Sequence, residues 1–570
     1  MSNHDPKSGA TSLQERHGGR ILADQLAILG AEKLFCVPGE SFLELLDGLY
    51  DHRDRIEVIT CRHESGASNM ADAYAKLTGK PGICAVTRGP GATNASNGIH
   101  TAFQDSSPMI VLIGQVARTM MDREAFQEMD YRRMFGEMAK WVAQIEDVAR
   151  IPEYLSRAWH VATSGRPGPV VLALPEDVLS DHAKVRDARP AQPVRSAPNA
   201  EEMTRFADLL DQARRPLLLL GGPGWSADAA NLAAQVSTEY DLPVVTSFRC
   251  QDYIDNSHPN YGGVIGIAPN PALRKKIREE TDLLITIGSR FGEMTTQGYT
   301  LIDTPVPQMR FVHIHPGPDE LGHVYAPDLP IVSAPEPFLQ AMLDHPLRKG
   351  QWSDWTAGFR AAYDAFLDPT EAVGELNMAE VIRHVSSTLP ADTIYTNGAG
   401  NYTVWLHRFH NHLRYRTQLA PTSGSMGYAV PAAIAAKLVH RDRTVVSLAG
   451  DGCFLMTAQE MATAGRYGLP IIYLVVNNGM YGTIRMHQER NHPGRVMSTD
   501  LTNPDFVTFA KAFGVPGEVI TRTDQFAGAL DRACQSAAGY LIELKVDPEA
   551  LTPTQSLSAA RKQGETTQKV

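Results

Sequence analysis

The chain has 570 residues, too many for one hydrophobic core, and its 43% hydrophobic and 21% charged residues are typical of a globular protein with about three or four domains. The net charge of −11 argues against a general nucleic-acid-binding surface, so we expect no nucleic-acid partner. No apolar run reaches the roughly 18 residues of a membrane helix, and the polar N-terminus lacks the apolar core of a signal peptide, so we expect no membrane partner. The six cysteines are widely spaced without a CxxC pair, which predicts a cytoplasmic location.

The first unit is predicted to cover residues 19–185, after a flexible N-terminus at 1–18. Short apolar strands alternate with helices in it, which predicts a parallel sheet covered by helices on both faces. One strand, at 56–60, runs into a helix that begins near Glu64. A glutamate at such a position is usually a charge favoured by the helix dipole, and that is the structural alternative to a functional role.

Prolines and small residues predict a linker at 186–198, a central unit at 199–346 and a second linker at 347–370. The central unit contains apolar runs that predict strands of a Rossmann-like, dinucleotide-type parallel sheet, at 216–220, 283–288 and 311–315.

The last unit, at 371–550, contains the most informative pattern in the chain. A Gly450-Asp451-Gly452 turn is followed by a helix and a buried strand that ends at Asn477-Asn478, and Asp451 precedes Asn478 by 27 positions. The turn and the strand end can lie side by side, which offers one carboxylate and one amide oxygen to Mg²⁺ and backbone N–H groups to a diphosphate. The alternative is a polar turn and a strand cap. Residues 551–570 are predicted to form a flexible tail.

The first and last units contain a faint repeat. A shift of 361 positions brings Gly89-Pro90-Gly91 onto Gly450-Asp451-Gly452, and both turns lie between an alanine-rich helix and a later strand that begins at a proline. This predicts a common design for the two units. The alternative is that all doubly wound domains look alike.

The Gly450–Gly452 turn with its double asparagine resembles the binding signature of thiamine diphosphate enzymes, and most of the chain resembles the acetolactate synthase (acetohydroxyacid synthase) group and related 2-oxo acid decarboxylases. The resemblance implies an α/β fold of three doubly wound parallel-sheet domains: pyrimidine-binding, central Rossmann-like and diphosphate-binding. It also implies thiamine diphosphate and Mg²⁺ as cofactors, with Asp451, Asn478 and a backbone carbonyl near Met480 as metal ligands.

The Arg62-His63-Glu64 segment resembles a family motif whose glutamate forms a hydrogen bond to the aminopyrimidine ring of the cofactor. The resemblance therefore makes Glu64 the catalytic residue. Its carboxyl group must hold a proton near neutral pH, which an apolar pocket would favour by raising the pKa.

The cofactor contacts implied by the resemblance lie in four segments of the last unit. Met426 matches a bulky apolar residue that wedges under the cofactor, and the Gly424 carbonyl would accept a hydrogen bond from its amino group. The Gly400-Asn401-Tyr402 loop aligns with a diphosphate-binding loop that carries Gln and His in acetolactate synthases. The remaining predicted contacts are Gly450, Gly452, Cys453 and Met480.

On the substrate side, Ala125-Phe126-Gln127-Glu128 resembles a segment of acetolactate synthases whose Phe and Gln line the site, and Gly39 resembles a residue of their glycine-rich loop. Three positions on the substrate side depart from the family pattern: Glu40 replaces a usual Gly, Glu176 replaces a usual Lys, and His487 replaces the Trp that shapes acceptor choice.

Acetolactate synthases of the biosynthetic type also bind FAD in the central domain without using it for redox chemistry. Gly221-Gly222 and Gly288-Ser289-Arg290 resemble parts of that site, whereas the segments at 266–271 and 291–293 differ from it. FAD is therefore a candidate third cofactor, less favoured than its absence.

The primary hypothesis is a thiamine diphosphate- and Mg²⁺-dependent decarboxylation of a 2-oxo acid with carboligation, such as pyruvate to acetolactate. The alternative is a non-ligating decarboxylase of the benzoylformate or indolepyruvate type. A third is an inactive cofactor-binding assembly subunit, against which Glu64 and the intact Asp451–Asn478 pattern argue. In the family the cofactor lies between the first domain of one chain and the third domain of another, which implies a homodimer or homotetramer.

Overall fold

Three six-stranded parallel sheets organise the computed structural model, which describes residues 14–348, 350, 352–368 and 373–568. Helices cover both faces of each sheet, and the strand interiors are almost fully buried. This confirms the predicted α/β fold of three doubly wound domains.

The first sheet has the strand order β3-β2-β4-β5-β7-β6, and a short antiparallel pair, β1 with β8, closes the unit. Its strands are β1 Arg16–His17, β2 Lys33–Cys36, β3 Glu57–Thr60, β4 Gly82–Val86, β5 Met109–Gln115, β6 Trp141–Gln144, β7 Pro169–Pro175 and β8 His182–Ala183. Its helices are α1 Gly18–Leu29, α2 Leu43–Tyr50, α3 Glu64–Thr78, α4 Gly89–Asp105, α5 Tyr131–Phe135, α6 Ile151–Thr163 and α7 Glu176–Ser180.

The second sheet has the order β11-β10-β9-β12-β13-β14, which is the strand order of dinucleotide-binding folds and matches the Rossmann-like prediction. Its strands are β9 Pro216–Leu220, β10 Val244–Thr246, β11 Tyr261–Val264, β12 Leu283–Ile287, β13 Arg310–His315 and β14 Leu329–Val332. Its helices are α8 Ala200–Gln212, α9 Ala227–Tyr240, α10 Pro271–Lys275, α11 Pro335–Asp344 and α12 Ser353–Phe366.

The third sheet has the order β16-β15-β17-β18-β20-β19. Its strands are β15 Ile394–Asn397, β16 Gln418–Leu419, β17 Val445–Gly450, β18 Ile472–Asn477, β19 Gly517–Ile520 and β20 Tyr540–Lys545. Its helices are α13 Met378–Thr388, α14 Tyr402–Phe409, α15 Ala429–Val439, α16 Asp451–Phe454, α17 Met461–Arg466, α18 Gly482–Asn491, α19 Phe506–Ala512, α20 Phe526–Gln535 and α21 Leu557–Thr567.

The first and third sheets have the same topology. If the six strands of each are counted along the chain, both sheets read 2-1-3-4-6-5. The two glycine turns of the sequence repeat follow the third strand in both, β4 in one and β17 in the other. The repeat therefore reflects a shared strand order, whereas the central sheet has a different one.

The alanine-rich helices α3 and α15 pack against each other and join the first domain to the third in one apolar core. Their small side chains let the two helix backbones approach closely. A buried polar cluster stabilises the contact: the Tyr428 hydroxyl donates to Asp72 at 2.5 Å, and Lys76 forms ion pairs with Asp72 and Asp105 at 2.8 and 2.5 Å.

The structure differs from the sequence prediction at three boundaries. Residues 1–13 lie outside the described part, but Arg16–His17, predicted as part of a flexible N-terminus, forms β1. The segment at 347–370, predicted as a linker, contains α12, whose Phe359 packs beneath the second sheet. The segment from 551, predicted as a flexible tail, forms α21.

Helix α21 is held against α18 by a buried carboxylate. Arg561 donates to both oxygens of Glu489, at 2.6 and 2.8 Å. Leu551, Leu557 and Ala560 pack with Met480 and Met486 in a small apolar cluster. The helix is hard to predict from the composition of 551–570, because only a few of its positions are apolar and contact the rest of the fold.

Three histidines near the end of α14 predict acid sensitivity. Burial lowers the pKa of His407 and of His410 to about 3, and it lowers that of His412 well below the usual 6.5. An unfolded chain binds protons at these groups near pH 6.5, whereas the folded chain does not. The three histidines therefore leave the free energy of unfolding at its full value above pH 6.5, and that free energy decreases as the pH falls below 6.5. We expect the urea midpoint to decrease between pH 6.5 and 4.5. His410→Phe should weaken this dependence, whereas the exposed control His160→Asn should not.

Among the described residues, no helix combines the length and the apolar character needed to span a membrane.

Candidate functional site

The Gly450–Gly452 turn and the double asparagine lie on neighbouring strands, as their spacing predicts. β17 and β18 are parallel neighbours, with Gly450 opposite Val476, so both strands end at the same edge of the third sheet. Asp451 begins α16 there and is 2% exposed. Its Oδ1 accepts from the Gly452 N–H at 3.0 Å and its Oδ2 from the Gly479 N–H at 3.0 Å.

An asparagine that the sequence analysis missed completes this cluster. The Asn503 side-chain amide donates to Asp451 Oδ2 at 2.8 Å and to Asn477 Oδ1 at 3.1 Å. Asn477 in turn donates to Glu543 Oε1 at 2.7 Å. Asn503 lies 52 residues from Asp451 and has no local signal, whereas a glutamate inside the buried strand β20 could have been noticed.

The oxygens at this edge fit a hard divalent cation. The Asn478 side-chain oxygen accepts only from the Met480 N–H, at 3.2 Å, among the bonds of the described residues. Burial raises the pKa of Asp451 above 3.8, an effect that its hydrogen bonds from Asn503 and from backbone N–H groups oppose. A buried carboxylate and a side-chain amide oxygen are oxygens of the kind that Mg²⁺ prefers.

Tyr402 packs beneath the turn and directs its hydroxyl inward. The Gly398 N–H donates to the Tyr402 hydroxyl at 3.1 Å, and that hydroxyl donates to Cys453 Sγ at 3.3 Å. A Cβ at Gly450 would lie 2.9 Å from the Tyr402 ring, so only glycine allows this approach. The hydroxyl of Tyr402 thus stabilises the turn, and its contact with a diphosphate stays a prediction.

Tyr402→Phe is expected to lower the free energy of unfolding by about 1–2 kcal/mol, because the Gly398 N–H loses its acceptor and Cys453 Sγ loses one of its two donors. Urea unfolding measures this change, and Tyr50→Phe, at a 66% exposed tyrosine, serves as control. Unchanged stability together with weaker cofactor binding would instead mean that the hydroxyl is directed at the ligand.

The other predicted cofactor residues surround the same edge. Asn401 exchanges hydrogen bonds with the Thr483 hydroxyl at 2.9 Å, which ties the Gly400 loop to α18. The Gly427 N–H donates to Cys453 Sγ at 3.2 Å, so the turn that carries Gly424 and the half-buried Met426 lies beside α16.

The first domain fixes the position of the Met426 turn. Asp105, at the end of α4, accepts from the Thr422 and Ser423 N–H groups at 2.9 and 2.8 Å. The Ser425 hydroxyl donates to Asn97 Oδ1 at 3.3 Å. A turn of the third domain is thus held by α4 of the same chain.

Glu64 begins α3 at the carboxyl edge of the first sheet and is 9% exposed. Its Oε2 accepts from the Asn94 side-chain amide at 3.0 Å. Glu460 of the third domain accepts from the backbone N–H groups of Arg62 and His63 and so caps the turn that precedes Glu64. In the described part of the chain, no hydrogen bond or ion pair links Glu64 to the Asp451 cluster.

The predicted substrate residues divide into two groups. Gly39 and the Phe126-Gln127 pair lie together at the edge of the first sheet, where the Gly89 N–H donates to the Gln127 carbonyl at 3.0 Å. Phe126 is 73% exposed in the single chain. His487 belongs to the third domain, where it is exposed on α18.

Comparison with family descriptions gives three matches along the chain. Residues 16–134 match "Thiamine pyrophosphate enzyme, N-terminal TPP binding domain", residues 203–342 the corresponding central domain, and residues 398–544 "Thiamine pyrophosphate enzyme, C-terminal TPP binding domain".

Curated relatives match over nearly the whole chain. The acetolactate synthase large subunit of Corynebacterium glutamicum is 33% identical over 546 residues, 92% of this chain and 86% of that protein. That of Parasynechococcus marenigrum is 33% identical over 556 residues, 94% of this chain and 88% of that protein. The acetolactate synthase isozyme 2 large subunit of Escherichia coli is 30% identical over 538 residues, 93% of this chain and 96% of that protein.

Proposed function

Because the chain belongs to the thiamine pyrophosphate enzyme family and is acetolactate synthase-like over most of its length, we propose that it decarboxylates a 2-oxo acid and joins the remaining fragment to a second carbonyl compound. The observation that carries this proposal is the 30–33% identity over more than nine-tenths of the chain to acetolactate synthase large subunits. Pyruvate is the donor that the resemblance implies, and acetolactate the product.

Thiamine diphosphate supplies the chemistry, because when bound it takes up the electron pair that the departing CO₂ leaves behind. We propose that Asp451, Asn478 and the Met480 carbonyl hold Mg²⁺, and that Gly452 and its neighbours present N–H groups to the diphosphate. Glu64 is proposed to hold a proton toward the aminopyrimidine ring. Asn94, which donates to its Oε2, fixes the orientation of that carboxyl group.

Incubation with pyruvate, thiamine diphosphate and Mg²⁺ tests the proposal, with mass-spectrometric detection of the products. Acetolactate supports ligation. Acetaldehyde without acetolactate would support the alternative, a non-ligating decarboxylase. No product from a panel of 2-oxo acids would leave only the inactive assembly subunit.

We propose a homodimer or homotetramer whose site is completed across two chains. The hydrogen-bond partner of Glu64 lies in the first domain and those of Asp451 lie in the third, so each chain supplies two separate halves. The exposed apolar side chains Phe126 and Ile484, at 73% and 54% exposure, lie beside these halves and would be covered by a second copy. Sedimentation of the protein with its cofactors measures the state.

FAD remains a candidate ligand of a cavity of about 750 Å³ between the three domains. Gly222, Arg249, Ser289 and Arg290 line the cavity, and the two arginines would suit a diphosphate. The flavin absorbance of the purified protein decides the question. Six free cysteines support the proposed cytoplasmic location.

A further inference from the structure

Arg88 lies where β4 meets α4, at the centre of the predicted substrate side. It immediately precedes the Gly89-Pro90-Gly91 turn and is 8% exposed. A buried guanidinium group is costly unless it is paired, so its partners indicate what the position is for.

Each partner of Arg88 belongs to a different substrate-side segment. Its Nη1 donates to the Phe126 carbonyl at 3.3 Å, and its Nη2 donates to Glu176 Oε2 at 3.1 Å. The Nη2 also lies 3.6 Å from Glu40 Oε1, next to Gly39. One side chain therefore joins the Gly39 loop, the Phe126-Gln127 segment and the start of α7.

The neighbours of Arg88 reinforce the same three-way junction. The hydroxyls of Ser41 and Thr87 lie 2.9 Å apart, and the Gly89 N–H holds the Gln127 carbonyl at 3.0 Å. Gln127 has a φ of +64°, in the left-handed region that non-glycine residues rarely adopt. Such a conformation persists only where surrounding contacts fix it.

Two of the three substrate-side departures from the family pattern, Glu40 and Glu176, are the two acidic partners of Arg88. In both, an acidic residue replaces a neutral or basic one, and both carboxylates lie against the buried Arg88 guanidinium group. The two substitutions are therefore coupled to each other through Arg88. Arginine suits this role better than lysine, because its planar fork can bond to several oxygens at once.

The junction lies close to the catalytic carboxyl group. A Cβ at Gly91 would lie 3.3 Å from Glu64 Oε1, and Asn94, one turn further along α4, donates to Glu64. Resting on the proposed function, we propose that Arg88, clamped by Glu40 and Glu176, is a positioning residue that assembles the substrate side of the site.

The kinetic test replaces Arg88. Arg88→Met should raise the KM for the 2-oxo acid about tenfold, with a smaller change in kcat and an unchanged Kd for thiamine diphosphate. Arg88→Lys should recover part of the loss. The matched control is Arg150→Met, at an exposed arginine of the same domain that pairs with Glu153. An unchanged KM in Arg88→Met, or an equal effect of the control, would overturn the proposal.

A double-mutant cycle with Glu176→Gln tests the clamp itself. Glu176→Gln should raise KM in the wild-type background and add little to Arg88→Met, since the interaction is already lost there. Additive effects would contradict the coupling. If Arg88→Met does not fold, Glu40→Gln and Glu176→Gln, both at partly exposed positions, must each raise KM for the proposal to stand.

Hydrogen exchange of the cofactor-free protein tests positioning without turnover. Backbone amides at 122–130 should exchange about tenfold faster in Arg88→Met than in wild type, and not in Arg150→Met. Failure of the wild-type enzyme to act on any 2-oxo acid would refute the proposed function. The exchange rates of the variants and the wild type would still test the clamp in that case. Unchanged exchange would refute the clamp alone.

Discussion

Glu64→Gln is expected to lower turnover of the 2-oxo acid by about 10²–10⁴-fold, the range lost with a general acid–base group. The substitution keeps the size of the side chain and an acceptor for the Asn94 amide, but it removes the titratable proton. Because Glu64 lies at a helix start capped by Glu460, the backbone should remain in place. Steady-state kinetics with saturating thiamine diphosphate and Mg²⁺ measures the loss.

Two comparisons make this result specific. Glu153→Gln, at an exposed glutamate of the same domain, should leave turnover unchanged. Calorimetry should show that Glu64→Gln still binds thiamine diphosphate within about tenfold of wild type, because one hydrogen bond is altered and not the diphosphate site. Turnover close to wild type in Glu64→Gln would remove Glu64 from the mechanism.

Asp451→Asn is expected to weaken Mg²⁺-dependent binding of thiamine diphosphate by about 100-fold or more, since the proposed charged ligand of the cation is replaced by a neutral one. Asn can still accept from the Gly452 or Gly479 N–H groups, so the turn should fold. Calorimetric titration with thiamine diphosphate in the presence and absence of Mg²⁺ separates the two ligands. Asp531→Asn, at an exposed position of α20, is the control.

The pH dependence of binding distinguishes the charge of Asp451 from its shape. Burial raises the pKa of this carboxyl group above 3.8, so protons compete with the cation at a higher pH than they would at an exposed aspartate. Affinity for Mg²⁺ and thiamine diphosphate should therefore rise as the pH rises through that raised pKa. Asp451→Asn should show a flatter profile, and an identical profile in both proteins would exclude Asp451 as the titrating group.

The fold could be predicted largely from local patterns. Apolar strands between helices indicate parallel sheets wherever they occur, and the repeat of Gly89-Pro90-Gly91 at Gly450-Asp451-Gly452 indicated two units of one design. The boundaries of the domains were harder to predict from the sequence. Helix α12, in a predicted linker, and α21, in a predicted tail, depend on a few contacts with distant elements such as Glu489.

The candidate site was predictable where its residues follow a strand end. Asp451 and Asn477-Asn478 lie at the ends of adjacent strands, so their spacing was enough to bring them together. Asn503, Glu460 and Arg88 escaped notice because each acts through partners far away in the chain.

The C-terminal helix has a practical consequence for anyone who shortens the protein for crystallisation. Removing residues from 551 onward would strip Leu551, Leu557 and Ala560 from Met480 and Met486 and leave two methionines facing water. It would also remove the two hydrogen bonds that Arg561 donates to the buried Glu489. Since Met480 is a proposed carbonyl donor, a truncation at 551 would disturb the proposed magnesium site.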